Sequence, residues 1–335
     1  MTVLTSVALV FASVVITLVG CTLFTNGIEW LGKRMKVSEG AVGSIFAAVG
    51  TTLPETSIPI IAIFFGTGQE RTEVGLGAIL GAPFMLSTLV LPILAALLVL
   101  YARTGKRAAV FKLDYREVRV DLQFFLAGYG LAVGCAFLAS RFAHYLTAAL
   151  LIGLYLYYMK LKLSAPSEQV GESALDPLIF ARRSPTPSYG LIGLQGLIGL
   201  VGLASGAHLF VTGAKAIAGE LAVSPLLLAL LIAPLATELP EMSNSFLWLY
   251  RRKDRLAVGN VTGAMVFQGT FPVSVGLIGT EWVLAPSALL TMGLALVGAG
   301  VSLGQLLWGG YWRAWVLGGG ALLYLGYTLY LFYGS

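Results

Sequence analysis

Charge is what this sequence has least of. Asp, Glu, Lys and Arg together make up 11% of 335 residues, against about a quarter in soluble domains, so a water-soluble globule is excluded. Histidine and cysteine occur twice each. Cys21 and Cys135 lie in separate apolar runs without zinc-ligand spacing, which disfavours a disulfide framework and soft-metal chemistry. No Ser/His, paired-Asp or zinc constellation occurs at helical spacing, so the chain is not expected to be an enzyme and no cofactor is expected. The net charge of +5 does not imply nucleic acid if the basic residues sit in loops on one side of a bilayer.

Apolar residues are abundant: 57% of positions, with a mean hydropathy of +0.86. Apolar runs longer than about 18 residues recur along the chain, the signature of membrane-crossing helices. The reading is an all-α membrane protein of about ten transmembrane helices in two inverted five-helix repeats. The expected spans are 3–32, 39–65, 73–101, 120–139, 143–162, 189–218, 224–249, 257–279, 283–308 and 312–333. The first starts without a charged leader region and is expected to be retained as a helix. A Ser-, Pro- and charge-rich stretch separates the halves. This divides the chain into 1–162, a cytoplasmic linker 163–188, and 189–335.

Halves with an odd number of spans must insert in opposite orientations. With the N-terminus outside, 18 of the 21 basic residues fall in inner loops, leaving Arg71, Arg141 and Lys215. The positive-inside rule thus places both termini outside the cytoplasm of a plasma (inner) membrane. The halves also share residues: Gly27, Val37, Ser38, Thr51, Leu53, Pro54, Glu55 and Ser57 recur 186 positions later as Gly213, Val223, Ser224, Thr237, Leu239, Pro240, Glu241 and Ser243. Inverted repeats with broken midplane helices are a transporter architecture.

Both copies place a proline and a glutamate inside an apolar run. Each proline removes an N–H and frees a carbonyl, of Gly50 and Ala236, tolerable in a bilayer only where it lines a cavity or is buried in protein. An intramembrane glutamate is a candidate site by default. Thr51 and Glu55 are four apart and share a helical face, as do Thr237 and Glu241. Brought together, two bidentate glutamates and two backbone carbonyls supply about six oxygens, the hard shell that Ca²⁺ accepts. Mg²⁺ fits less well because it sheds water reluctantly; Mn²⁺ fits the same shell.

The two Thr-x-Leu-Pro-Glu motifs, each followed by a Gly-rich helix, resemble the repeats of the calcium/cation antiporter superfamily, most of all its prokaryotic sodium/calcium exchangers. The resemblance covers nearly the whole chain. It implies exchange of Ca²⁺ for Na⁺ by alternating access, with the short spans 2, 3, 7 and 8 holding ions and the long spans 1 and 6 sliding across them. It also implies that Glu55 and Glu241 are shared ligands, with Thr51 and Thr237 beside them; a monomeric transport unit is expected.

The departures concern the counter-ion. Where the family usually has serine, this chain has Thr52 and Glu238. Hydroxyls usual on spans 3 and 8 are replaced by Ala82 and Ala264, an asparagine by Leu86 and an acid by Gln268. Leu86 cannot ligate; Gln268 still can through its carbonyl oxygen. Glu238 lies three residues before Glu241 on roughly one face, and two like charges in low dielectric are expected to share one proton. This motivates H⁺ as the alternative counter-ion. A passive cation channel is a further alternative, distinguished by the absence of counter-ion coupling.

Three weaker signals complete the reading. His208 is expected to pack between helices rather than relay protons. Glu29 and Lys33 are expected to form an ordinary i,i+4 pair at the water interface. Trp308, Trp312 and Trp315 are expected to form an interfacial belt.

Overall fold

The computed structural model describes residues 3–65, 69–105, 107–164, 176–220 and 238–333. Among these the regular structure is helical, with no strand. Among the described residues, seven helical segments are long and apolar enough to cross a membrane.

Helix α1 (Val3–Met35) is 33 residues long. A capped turn, Glu39–Ala41, then passes through a π-helical segment, Val42–Ala47, into α2 (Ala48–Phe65). The start is set by Ser38, whose Oγ accepts from the Ala41 N–H at 3.1 Å, a serine N-cap. Next come α3 (Gln69–Met85), a second π segment Leu86–Val90, and α4 (Leu91–Arg103). Pro83 lies inside α3 and strips a partner from the carbonyl four residues back. The Phe84 carbonyl just ahead of the π segment takes the hydroxyls of Ser87 at 3.1 Å and Thr88 at 2.6 Å.

Helix α5 (Tyr115–Cys135) starts at Asp114, whose carboxylate accepts from the Arg116 N–H at 2.9 Å. Then follow α6 (Arg141–Ser164) and α7 (Tyr189–Glu220). Beyond them lie α8 (Leu239–Tyr250), α9 (Asp254–Gln268), α10 (Phe271–Gly279), α11 (Pro286–Gly309) and α12 (Ala314–Tyr333).

The expected span 39–65 coincides with the turn, π segment and α2. The others shift by a few residues at their ends, for example 120–139 to Tyr115–Cys135. Much of 224–249 lies outside the described residues; its last part is α8. The expected span 257–279 is two helices, because Gly269 and Thr270 leave helical geometry and Pro272 opens the next helix without an N–H to donate.

The longest helices, α1 and α7, pack along each other. Small residues permit the approach: a Cβ on Gly20 would lie 2.7 Å from the Leu203 nitrogen. Small-residue contacts of this kind are how membrane helices associate without a hydrophobic driving force. α9 lies at the centre, against the π segment before α2, α8, α2 and α5. Its fourteen buried positions run from Leu256 to Gln268, with Asp254 at the start.

Polarity is distributed inside out. Phe11, Phe142 and Leu322 are more than 70% exposed, whereas Thr51, Asp121, Glu238, Glu241 and Asn260 are fully buried. An apolar exterior this extensive is that of a protein solvated by lipid, and the chain is an integral membrane protein.

Candidate functional site

The first Thr-x-Leu-Pro-Glu copy lies within α2. Contrary to the expected break, the backbone runs helically through Pro54. The irregularity sits upstream, in the π segment Val42–Ala47, a form of bulge that recurs at functional sites. Thr51 donates its hydroxyl proton to Ala47 O at 3.0 Å, and Thr52 donates to Ala48 O at 2.8 Å. With the protons so committed, both buried hydroxyls present only lone pairs to their surroundings, the polarity a cation requires. Glu55 lies one turn beyond Thr51 in the backbone of α2; its side chain is outside the described atoms.

The second copy starts α8. Glu238 is the N-cap residue and Pro240 occupies the first turn, where its missing N–H is not needed. Thr237 lies outside the described residues. Glu238 and Glu241 are both fully buried. None of their four carboxylate oxygens has a protein hydrogen-bond partner, and no Lys or Arg pairs with either among the described residues. The N-terminus of α8 favours negative charge by about 0.3–1 kcal/mol, far less than the several kcal/mol of order that burying each ion costs. The balance must come from a cation or a proton.

The two copies meet here. Helix α2, which carries the first copy, packs against α8, which carries the second. α9 joins them from the other side: Asn260 Nδ2 donates to the backbone carbonyl of Glu241 at 3.1 Å and to Ser245 Oγ at 3.0 Å. Glycine makes this contact close. A Cβ on Gly43 in the π segment would lie 2.8 Å from Leu256 O, and one on Gly259 would lie 3.2 Å from Gly40 O. Gln268 is the last residue of α9, where the helix breaks, and its buried Oε1 has no protein partner. Discontinuous helices of this kind line ion sites at membrane depth.

Thr51, Thr52, Glu238, Glu241 and Gln268 are therefore buried on helices that pack together. Leu86 begins the π segment after α3 and is fully buried. Among the described residues no three His, Cys, Asp or Glu side chains converge.

Sequence reasoning missed Asn244 and Asn260. Both are fully buried; among the described residues Asn244 has neither amide atom partnered and Asn260 has no partner at its oxygen. Their signal was helical spacing: Asn244 follows Glu241 by three residues.

Other expectations changed. Glu29 is not paired with Lys33 at the water interface. It is buried, accepts from Trp248 Nε1 at 2.9 Å and pairs with Lys253, while the Lys33 ammonium sits 4.9 Å from the Trp30 ring centre. Trp308 and Trp315 are exposed, but Trp312 is buried and bonds Ser302 O at 2.9 Å. His208 is exposed rather than packed between helices.

Comparison with known proteins places this geometry. Residues 5–163 and 192–334 match the family described as "Sodium/calcium exchanger protein". A protein of Alkalimonas amylolytica, provisionally named antiporter CaxA, is 25% identical over 298 residues, covering 84% of this chain and 86% of that protein. The uncharacterized membrane protein MJ0091 of Methanocaldococcus jannaschii is 23% identical over 247 residues, covering 74% and 73%. Among solved structures, the sodium-calcium exchanger NCX_Mj soaked with zero Na⁺ and Ca²⁺ superposes with a TM-score of 0.77 at 19% identity, covering 98% of this chain and 100% of that one. The same protein soaked with 2.5 mM Na⁺ and 10 mM Sr²⁺ gives 0.76, covering 99% of each chain. The fold is thus shared along the whole length, and, by the family match over both halves, the chain belongs to the sodium/calcium exchanger protein family, a family of cation antiporters.

Proposed function

We propose that this protein is a secondary active antiporter that exchanges Ca²⁺, or a similar divalent cation, for Na⁺ by alternating access at a glutamate site near the membrane midplane. The observation that carries the reading is a buried carboxylate pair, Glu238 and Glu241, with no cation to balance it among the described residues, on a helix packed against α2, which carries the other motif copy. Glu55, Glu241, Thr51 and Thr237 would form the common core of the site, with Thr52, Glu238 and Gln268 around it. Ca²⁺ is the substrate; no resident cofactor is invoked.

The architecture proposed with it is ten spans in two inverted halves, 1–162 and 189–335, joined by a cytoplasmic linker. It is supported by the two stretches over which the family match runs. It is supported also by the near-equal long helices α1 and α7, of 33 and 32 residues. Both termini would face outward from the plasma membrane, and one chain would be the transport unit.

A second reading, H⁺ as the counter-ion, is favoured by one specific observation. Glu238 places a protonatable group beside Glu241, while Ala82, Ala264 and Leu86 occupy positions that would otherwise offer oxygen to flanking Na⁺. Reconstitution into vesicles separates the readings. Ca²⁺ uptake that requires an opposing Na⁺ gradient supports the first. Uptake driven by a pH gradient without Na⁺ supports the second, and Ca²⁺ flow with no counter-ion requirement refutes both in favour of a channel.

A further inference from the structure

The polar surface of α8 does not end at the carboxylate pair. Glu238, Glu241, Asn244, Ser245 and Trp248 fall within an arc of about 120° at 3.6 residues per turn. Asn244 stands about 4.5 Å further along the axis than Glu241, and Trp248 about 6 Å beyond Asn244. Glu238, Glu241, Asn244, Ser245 and Trp248 are all fully buried.

The hydrogen bonds along this stripe are uneven. Asn260 spends its Nδ2 on the Glu241 carbonyl and on Ser245 Oγ, which fixes its amide orientation and leaves Oδ1 free. Among the described residues neither Oδ1 nor Nδ2 of Asn244 has a hydrogen-bond partner. A buried amide without partners is costly and is kept where something fills the gap. A bare cation would satisfy only the oxygens. Water donates to an amide oxygen and accepts from an amide nitrogen, so the chemistry of Asn244 matches an ion that still carries part of its water shell.

The stripe stops at Trp248. Its indole nitrogen donates to Glu29, which also pairs with Lys253 in the turn after α8. Glu29 belongs to α1, one of the two long helices packed on each other. A buried ion pair contributes little net stability and serves better as a registry or switch contact. Here it closes the end of the stripe.

We propose that Asn244 marks a second cation position, for a partly hydrated divalent ion. It lies between the Glu238/Glu241 pair and the Trp248–Glu29–Lys253 closure. The inference rests on the antiport reading of the carboxylate pair. An ion leaving or approaching Glu241 from the side of the Arg251–Lys253 turn pauses there and exchanges waters before full coordination.

The test uses the full-length protein in proteoliposomes, with Ca²⁺ as the probe, applied from each side in turn. Asn244→Leu, close in volume, is expected to raise the KM for Ca²⁺ about tenfold from the side of the basic turn, the loss of one strong ligand contact, and much less from the other side. Its thermal midpoint is expected to hold or rise, because an unpartnered amide is gone. Asn244→Asp, which adds charge at the same place, is expected to lower that KM, a gain that a merely structural amide would not show. Flux abolished by Glu241→Gln but unchanged in KM by both Asn244 variants overturns this inference alone. Flux indifferent to Glu241→Gln overturns the reading beneath it and this one with it.

Discussion

The two copies of Thr-x-Leu-Pro-Glu are nearly the same words on different backbone. The first sits inside a continuous helix and contributes two hydroxyls whose protons are tied back to the Ala47 and Ala48 carbonyls. The second opens a helix, with Glu238 at its N-cap and both carboxylates of its first turn unpartnered. A proline in mid-helix leaves a carbonyl unpaired, while one in the first turn costs almost nothing. In the first copy the described side chains are hydroxyls held rigidly, and in the second they are two carboxylates at a helix start. The difference teaches that the repeat supplies a common frame, while the same motif meets the backbone differently on its two sides.

The sharpest way to break this comparison is to remove the charge. Glu241→Gln is expected to reduce Ca²⁺ uptake by at least about 100-fold, on the scale of losing a buried charged ligand, with the protein still folded. Retained uptake in vesicles would remove the second copy from the site. Glu238→Gln tests what the extra acid is for. If it carries the counter-proton, uptake driven by a pH gradient without Na⁺ disappears while Na⁺-driven uptake stays; equal loss of both would make it a Ca²⁺ ligand instead.

Smaller effects sharpen the frame. Gln268→Leu removes a neutral oxygen at the α9 break and is expected to raise the KM for Ca²⁺ about tenfold, about 1.4 kcal/mol; an unchanged KM would show that this break does not reach the ion. Gly43→Val adds bulk where even a Cβ would stand 2.8 Å from Leu256 O. It is expected to cost about 1–3 kcal/mol of stability, read as a lower thermal midpoint in detergent, with any flux loss following from misplaced α9.

Much of the frame was legible in the residues because it follows from hydropathy and helix-breaking chemistry. The positions of Pro54 and Pro240 point to α2 and α8, two helices that pack against each other and against α9. In the candidate site, the repeating residues Thr51 and Glu241 are buried on helices that pack together, as membrane-embedded motif residues were expected to be. The rest depended on packing that periodicity does not encode. Glu29 and Lys33 stand one helical turn apart, yet Glu29 turns to Trp248 and Lys253, more than 200 positions away. The π segments were likewise invisible, since no residue type marks Val42–Ala47 as wider than an α-helix. The buried carboxylate of Asp121, held by Tyr158 at 2.9 Å, Lys162 at 2.9 Å and Thr262 at 2.6 Å, joins α5, α6 and α9 and gave no sequence signal.

The central claim is that both motif copies make one ion site. A double-mutant cycle on the KM for Ca²⁺ tests it directly, using Thr51→Val in the first copy and Glu241→Asp in the second. The account predicts a coupling of about 0.5–3 kcal/mol, the range for residues in contact, with the double variant distinctly different from the sum of the single losses. Strictly additive losses would contradict it, placing the threonine and the glutamate in separate sites.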